Sequence, residues 1–438
     1  MDHPLRSELS GELHARPFLK ISTAVSLEHF AVHVERDSHT QFHEALLQTL
    51  CYDAGIASPT DGVTHYATQL RCGRQLKWER HTEFSTFTFV APRHHNRYFD
   101  GETSTTTLPS AWLEKMAGTR IVAVRMELLT SAEAGIGRDD LSRWFDGPIV
   151  VGSRVMGGGK VFCDWTVRSD GFMRFLVIDD DFREAQSGRL LQRIHEIETY
   201  RMMALLALPV ARKMARDLDD INSLLQALMR RMEETGALTD DAGLLLELTH
   251  LAVRIESLAG HGSRFSASRA YEMLVHTRIQ ELREERIEGM PTIAEFMERR
   301  FAPAMQTCRS VWNRHEQTAQ RVARAVDLLR TRVNLSQEKD VTTMLAGMER
   351  TARHQLHLQH AVEGLSVAAI SYYVLSLAGA AFRAMHELHL PVAPELAEGL
   401  LIAPVVLMVI GITKRARRRV LRGNVSRGDE IHSMNLND

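Results

Sequence analysis

Residues 364–382 (GLSVAAISYYVLSLAGAAF) run for 19 residues without a charged side chain. A helix needs about 20 apolar residues to cross the hydrocarbon core of a bilayer. Buried core helices of this length are rarely charge-free, so the segment reads as a membrane span. A second apolar segment, 399–413, is shorter and carries Pro404, and Leu396 and Ala397 extend it if Glu398 lies at the interface. Together they predict a C-terminal two-helix transmembrane hairpin over 364–413. The linker between them holds Pro391 and Pro394 and is too short for a domain.

Charge flanking the spans gives an orientation. Lys414, Arg415, Arg417, Arg418, Arg419 and Arg422 follow the second segment, and the linker contains only Arg383. Basic residues mark the cytoplasmic side of a span. Arg350 and Arg353 precede the first span, on the side of the bulk of the chain. Both termini are therefore expected in the cytoplasm. The basic start of the 414–438 tail reads as a topology determinant or a lipid-headgroup contact. The formal net charge is −2, so no nucleic-acid partner is expected. The start of the chain (MDHPLR) is polar and no apolar run follows it, so no signal peptide is expected.

Residues 1–181 read as a mixed α/β domain. Strands are predicted over 27–35, 63–71, 75–81, 84–91, 120–129, 149–155, 160–167 and 172–178, with a helix over 40–51. Asp170-Gly171 supplies the tight turn of a hairpin. Asp179-Asp180-Asp181 ends the sheet and begins a helical region. From 182 to 363 the texture is that of a helical stalk or coiled-coil-like bundle. Leu190, Ile194, Ile197, Arg201, Leu205 and Leu208 lie three or four apart, and Met214, Leu218, Ile221, Leu225, Leu228 and Met232 continue the seam. Pro209 predicts a kink near Leu205. Further helices are predicted over 244–258, 268–288, 292–334 and 337–363. The fold class is therefore α+β, with a sheet domain, a stalk and a membrane hairpin.

Few residues carry recognisable chemistry. Gly157-Gly158-Gly159-Lys160 suggests a phosphate loop, but Val161-Phe162 follow where a helix beginning with Ser or Thr is needed. A Gly-rich turn is the better reading. The pairs His29/His33, His39/His43 and His94/His95 each supply two imidazoles, whereas a metal site needs three or four converging ligands. Structural or surface histidines are expected, and neither metal nor cofactor. Cys51, Cys72, Cys163 and Cys308 are scattered and read as reduced thiols.

Two patches are dense. Glu12, His14 and Arg16 precede Pro17-Phe18 near the N-terminus, and Glu198, Tyr200 and Arg201 sit on the first long helix. A structural clamp between this N-terminal arm and that helix is expected, with Arg16 able to fork onto a carboxylate. On the first span, Ser366, Ala369, Tyr373, Ser376 and Ala380 recur every three or four residues, and Glu363 and His360 continue the stripe into the headgroup layer. Small and hydroxyl residues at this spacing let helices approach closely in lipid. The stripe is expected to be an oligomer interface or a pore lining.

Three segments together, His3-Pro4-Leu5-Arg6 with Glu12–Phe18, then 197–209 (IETYRMMALLALP), then the C-terminal hairpin, resemble a family of uncharacterised bacterial membrane-anchored proteins of unknown function. The resemblance covers essentially the whole chain and implies the architecture and a bacterial inner membrane, without a mechanism. The architecture is also similar to that of CorA-type magnesium channels, whose Gly-Met-Asn loop is absent from the linker here. The expected function is that of a non-enzymatic, membrane-anchored homo-oligomer, assembled through the stalk and first span, whose cytoplasmic domain binds a partner or ligand. The alternatives are an oligomeric ion channel lined by Ser366, Tyr373 and Ser376, and a membrane-surface enzyme using Arg16, Glu198 and the 157–160 loop.

Overall fold

The computed structural model describes residues 3, 6, 18–19, 21, 24–34, 39–60, 62–70, 73–93, 99, 108–132, 141–183, 185–234, 241–387 and 399–415. It falls into two units, 1–329 and 330–438.

In the first unit, β1 (Val25–His33), β2 (His65–Gln69), β3 (Gln75–Arg80), β4 (Phe84–Pro92), β5 (Arg120–Thr130), β6 (Val151–Val155), β7 (Gly159–Cys163), β8 (Met173–Asp179) and β9 (Glu285–Arg286) form one sheet. Their order is β2-β3-β4-β1-β5-β8-β7-β6-β9. Every described pairing is antiparallel except β5 with β8. Alternation along each strand gives the sheet two faces. On one face Phe30, Val32, Leu76, Trp78, Phe87 and Phe89 pack under α1 (His39–Ala54) and α2 (Ser110–Met116), with Trp112 fully buried among them. On the other, Leu27, Ala31, Phe84, Val124, Met126 and Phe175 meet α3 (Gln186–Leu205).

The same core continues into α4 (Ala207–Glu234), α5 (Asp241–Ala259), α6 (Gly262–Leu282), α7 (Ile293–Arg300) and the start of α8 (Ala302–Glu387). Buried positions on α4 are Ala207, Ala211, Met214, Leu218, Ile221, Leu225 and Leu228, alternately four and three apart. On α8 the run Cys308, Val311, His315, Thr318, Val322, Ala325 and Leu329 keeps that spacing. Each is a single apolar stripe facing neighbouring helices. Helix α3 ends at Leu205, four residues before Pro209, which has no N–H for the Leu205 carbonyl.

Three element boundaries differ from expectation. The strand expected over 160–167 stops at Cys163 because Asp164 turns the chain, its carboxylate accepting from Gly147 N–H at 2.9 Å and Thr166 N–H at 3.2 Å. The helix expected to reach 288 ends at Leu282. Arg283 takes a left-handed conformation (φ 48°), and Glu285–Arg286 joins the sheet edge beside β6. The helices expected over 292–334 and 337–363 are not those units. A capping box at Thr292 and Glu295 starts the short α7, and α8 then runs without a break from Ala302 to Glu387.

In the second unit, α8 continues from Arg330 and a helix over 399–415, here α9, follows. Among the described residues, one helix is long and apolar enough to cross a membrane, and its most apolar stretch is 11% buried. Leu365 and Leu377 are 76% and 72% exposed. Among the described residues of this unit, the buried positions are Ser371 and Gly379 on α8 and Val405 and Val409 on α9.

Candidate functional site

The α3 face of the sheet carries a polar island. On β3 the apolar Leu76 and Trp78 point to the α1 side, so Lys77 and Glu79 point toward α3. Register then aligns residues across strands: Lys77 opposite Thr88, Thr88 opposite His29, and Glu79 opposite Thr86. Helix α3 lays Gln192, His195, Glu196 and Thr199 over this island, Gln192 and Thr199 each lying three and four residues from the adjacent pair between them. Between helix and sheet lies a cavity of about 220 Å³, walled also by His81, Phe84, Tyr200 and Arg278 from α6.

Two imidazoles stack inside it. The His29 and His195 rings lie 4.0 Å apart at 18°. The tautomer of His29 follows from its partners. Thr199 Oγ1 donates to the His195 carbonyl at 2.8 Å, so its remaining role toward His29 is to accept, and Nε2–H of His29 donates to it at 3.1 Å. Nδ1 is then bare and accepts from the Thr88 hydroxyl at 2.8 Å. His29 is thus held neutral with both nitrogens occupied. Burial first, then the charges of Lys77 and His81, push its pKa down to about 3. Burial likewise pushes His195 well below the usual histidine range, with His29 and Lys77 adding to it. Neither ring nitrogen of His195 has a hydrogen-bond partner among the described residues, and the residue is 6% exposed. Thr86 is 4% exposed, and its Oγ1 also lacks a protein partner among the described residues.

The charged walls are internally matched. Lys77 pairs with Glu79 at 3.2 Å. Arg278 Nε pairs with Glu196, Arg278 Nη1 with Glu281 at 3.1 Å, and Arg193 with Glu281 at 3.0 Å. Gln192 donates its amide N–H to Glu196 at 2.7 Å. At the edge, Glu83 accepts from Arg264 at 3.0 Å and from the Tyr271 hydroxyl at 3.2 Å, and burial with that carboxylate raises the Tyr271 pKa.

Of the residues in the two dense patches of the sequence, Tyr200 lines the cavity wall and the other described ones lie elsewhere. Glu198 holds Arg201 through two bonds of 2.8 and 2.7 Å, and the Arg201 guanidinium lies 5.5 Å from the Trp165 ring centre. Burial works against the Arg201 charge, but Glu198 more than offsets it and raises the pKa. Glu12, His14 and Arg16 lie outside the described residues. The end of their segment does meet α3: the Arg189 guanidinium sits 5.5 Å from the Phe18 ring centre. A Cβ on Gly188 would collide with the Leu19 carbonyl oxygen. Residues 157–160 close the β6–β7 hairpin. The Gly158 carbonyl accepts from the backbone N–H groups of Asp180 and Asp181, and Lys160 pairs with Asp180 at 2.9 Å. Neither this turn nor Glu198 lines the cavity.

Of the other histidines, His33 meets the Glu83 carbonyl at 2.9 Å and His43 meets the Ser85 hydroxyl at 2.8 Å. The His39 side chain and His94 and His95 lie outside the described residues. Among the described residues no three His, Cys, Asp or Glu side chains converge as metal ligands. On α8, Ser366, Ala369, Tyr373, Ser376 and Ala380 are all exposed, and Glu363 is half-buried. Lys414 and Arg415 are exposed at the end of α9, and Arg417, Arg418 and Arg419 lie outside the described residues.

The cavity was missed because alternation in β3 makes the Lys77/Glu79 side look solvent-facing. The available signal was the Gln192–His195–Glu196–Thr199 stripe, a polar face on a helix that also has a buried apolar one. No curated protein and no solved structure matches the chain. The model of the family described as "Protein of unknown function (DUF3422)" matches residues 1–420, and the chain therefore belongs to the DUF3422 family.

Proposed function

We propose that this chain is a membrane-anchored, homo-oligomeric, non-enzymatic binding protein of the bacterial inner membrane, whose cytoplasmic domain takes a ligand in the cavity between α3 and the sheet. Residues 364–413 span the bilayer as a two-helix hairpin, both termini are cytoplasmic, and Lys414 and Arg415 begin the lipid-facing basic run. The observation that carries the reading is the charge-free run of α8 with its apolar side chains turned outward, where a soluble core helix would bury them. The cavity supports the binding role. It holds a buried hydroxyl, that of Thr86, with no protein partner among the described residues, and its Lys77–Glu79 and Arg278–Glu196 charges are tied to one another, an arrangement suited to holding a molecule more than to exchanging protons with it.

Deleting residues 364–422 tests the anchor. The truncated chain is expected in the soluble fraction after high-salt washing and centrifugation, while the full chain sediments with membranes. Sedimentation of both after that wash contradicts the proposal.

A further inference from the structure

We propose that the α3 cavity selects a small uncharged molecule that both donates and accepts hydrogen bonds, of the amide or polyol class, over inorganic anions, metal cations and amines. This inference rests on the cavity being a ligand site, as proposed above. Its first support is charge matching. Lys77 is paired with Glu79, and Arg278 and Arg193 share the Glu196 and Glu281 carboxylates. An entering ion would have to break one of these pairs or go without a counter-charge of its own, and either costs free energy. The two stacked imidazoles do not act as cations, since His29 is fixed as the neutral Nε2–H tautomer and His195 is buried against it.

The second support is the hydrogen-bonding capacity left over. The Thr86 hydroxyl is buried, lines the cavity and meets no protein partner among the described residues. His195 offers one N–H donor and one bare nitrogen. Gln192 spends one of its two N–H donors on Glu196, because a carboxylate only accepts, and this leaves its second N–H and its carbonyl oxygen. The remaining set therefore contains both donors and acceptors and no net charge. A site built from buried hydrogen-bonding groups rejects molecules that leave those groups unpaired.

The test uses the full chain in detergent at neutral pH, with thermal denaturation and calorimetric titration against uracil, nicotinamide and myo-inositol. Inorganic phosphate, zinc chloride and spermidine serve as the charged set. Thr86→Val removes the hydroxyl at nearly constant shape. Because that hydroxyl lacks a protein partner, the unliganded variant is expected to melt at or above the temperature of the native chain. At least one uncharged probe is expected to stabilise the native chain and to bind the variant about tenfold more weakly, the loss of one hydrogen bond. Binding of phosphate, zinc or spermidine that weakens in Thr86→Val would overturn the ligand class and leave the ligand site standing. No probe binding, or binding indifferent to Thr86→Val, means a cavity that holds only water and overturns both. A variant that melts well below the native chain gives the hydroxyl a structural partner and removes the second support.

Discussion

Glu198 and Arg201 stand one helical turn apart, and two parallel hydrogen bonds fix them beside Trp165. Such forks are among the stronger polar contacts, and losing one partner strands the other in a largely buried place. A double-mutant cycle of Glu198→Gln and Arg201→Met, read by urea denaturation, is expected to show coupling on the order of 1–3 kcal/mol. Additive effects would mean the pair contributes nothing as a pair.

The buried titratable groups also predict a pH profile. The native pKa of His29 is about 3, against 6.5 for an ordinary histidine. As pH falls below that ordinary value the unfolded chain takes up a proton the native chain does not, so stability falls toward acid by about 1 kcal/mol per pH unit for each such histidine. His195 acts in the same direction. Glu127 acts oppositely. Burial raises it to about 7 from 4.5, despite the Ser26 hydroxyl at 3.1 Å and Arg93 at 3.8 Å. The native chain keeps its proton where the unfolded chain has lost it, so Glu127 lowers stability as pH rises through that interval. With two histidines against one glutamate, stability should climb from about pH 4.5 to 6.5, dip slightly to about 7 and then level. His29→Gln should flatten the climb and Glu127→Gln should steepen it. A profile that falls from pH 4.5 to 6.5 contradicts these assignments. None of these environments was legible in the sequence, where a histidine in a strand carries no mark of what lies over it.

At the scale of elements, strand positions were largely readable because alternation and Gly turns are local signals. The boundaries that moved depend on nonlocal contacts or unusual dihedrals. Arg283 adopts a left-handed φ that its residue type does not advertise, and Asp164 ends a strand by binding Gly147, far back in the chain. The kink before Pro209 was readable because proline acts through its own missing N–H. Gly188 marks a contact the sequence hid. Its bare Cα lets the Leu19 carbonyl lie against the first turn of α3, beside the Phe18–Arg189 contact. Gly188→Ala should force these apart and cost about 1–3 kcal/mol in chemical denaturation, as overpacking does. An unchanged midpoint would show that the arm does not pack there.

At the scale of the whole molecule, the sheet side chains, the polar island and the α4–α8 seam belong to one unit, and the exposed apolar run belongs to the other. The run was visible in composition alone. The cavity was not, because it exists only once α3 covers three strands. Within the second unit the buried small residues, Ser371 and Gly379, fall on a different face of α8 from Ser366, Ala369, Tyr373, Ser376 and Ala380, which remain exposed. That exposed stripe is where a second copy of the chain is proposed to pack, since small residues must supply the contact that lipid does not. Cysteine crosslinking in intact membranes tests this central claim most directly, with the unsubstituted chain as control for its native cysteines. Ser366→Cys, Tyr373→Cys and Ser376→Cys are each expected to give covalent dimers under mild oxidation, to resist a water-soluble thiol reagent, and to crosslink far better than Leu375→Cys. Reaction of all three with that reagent would instead favour a water-filled pore. Membrane-bound protein with no crosslink at any of the three would contradict the oligomer and leave a lone anchor.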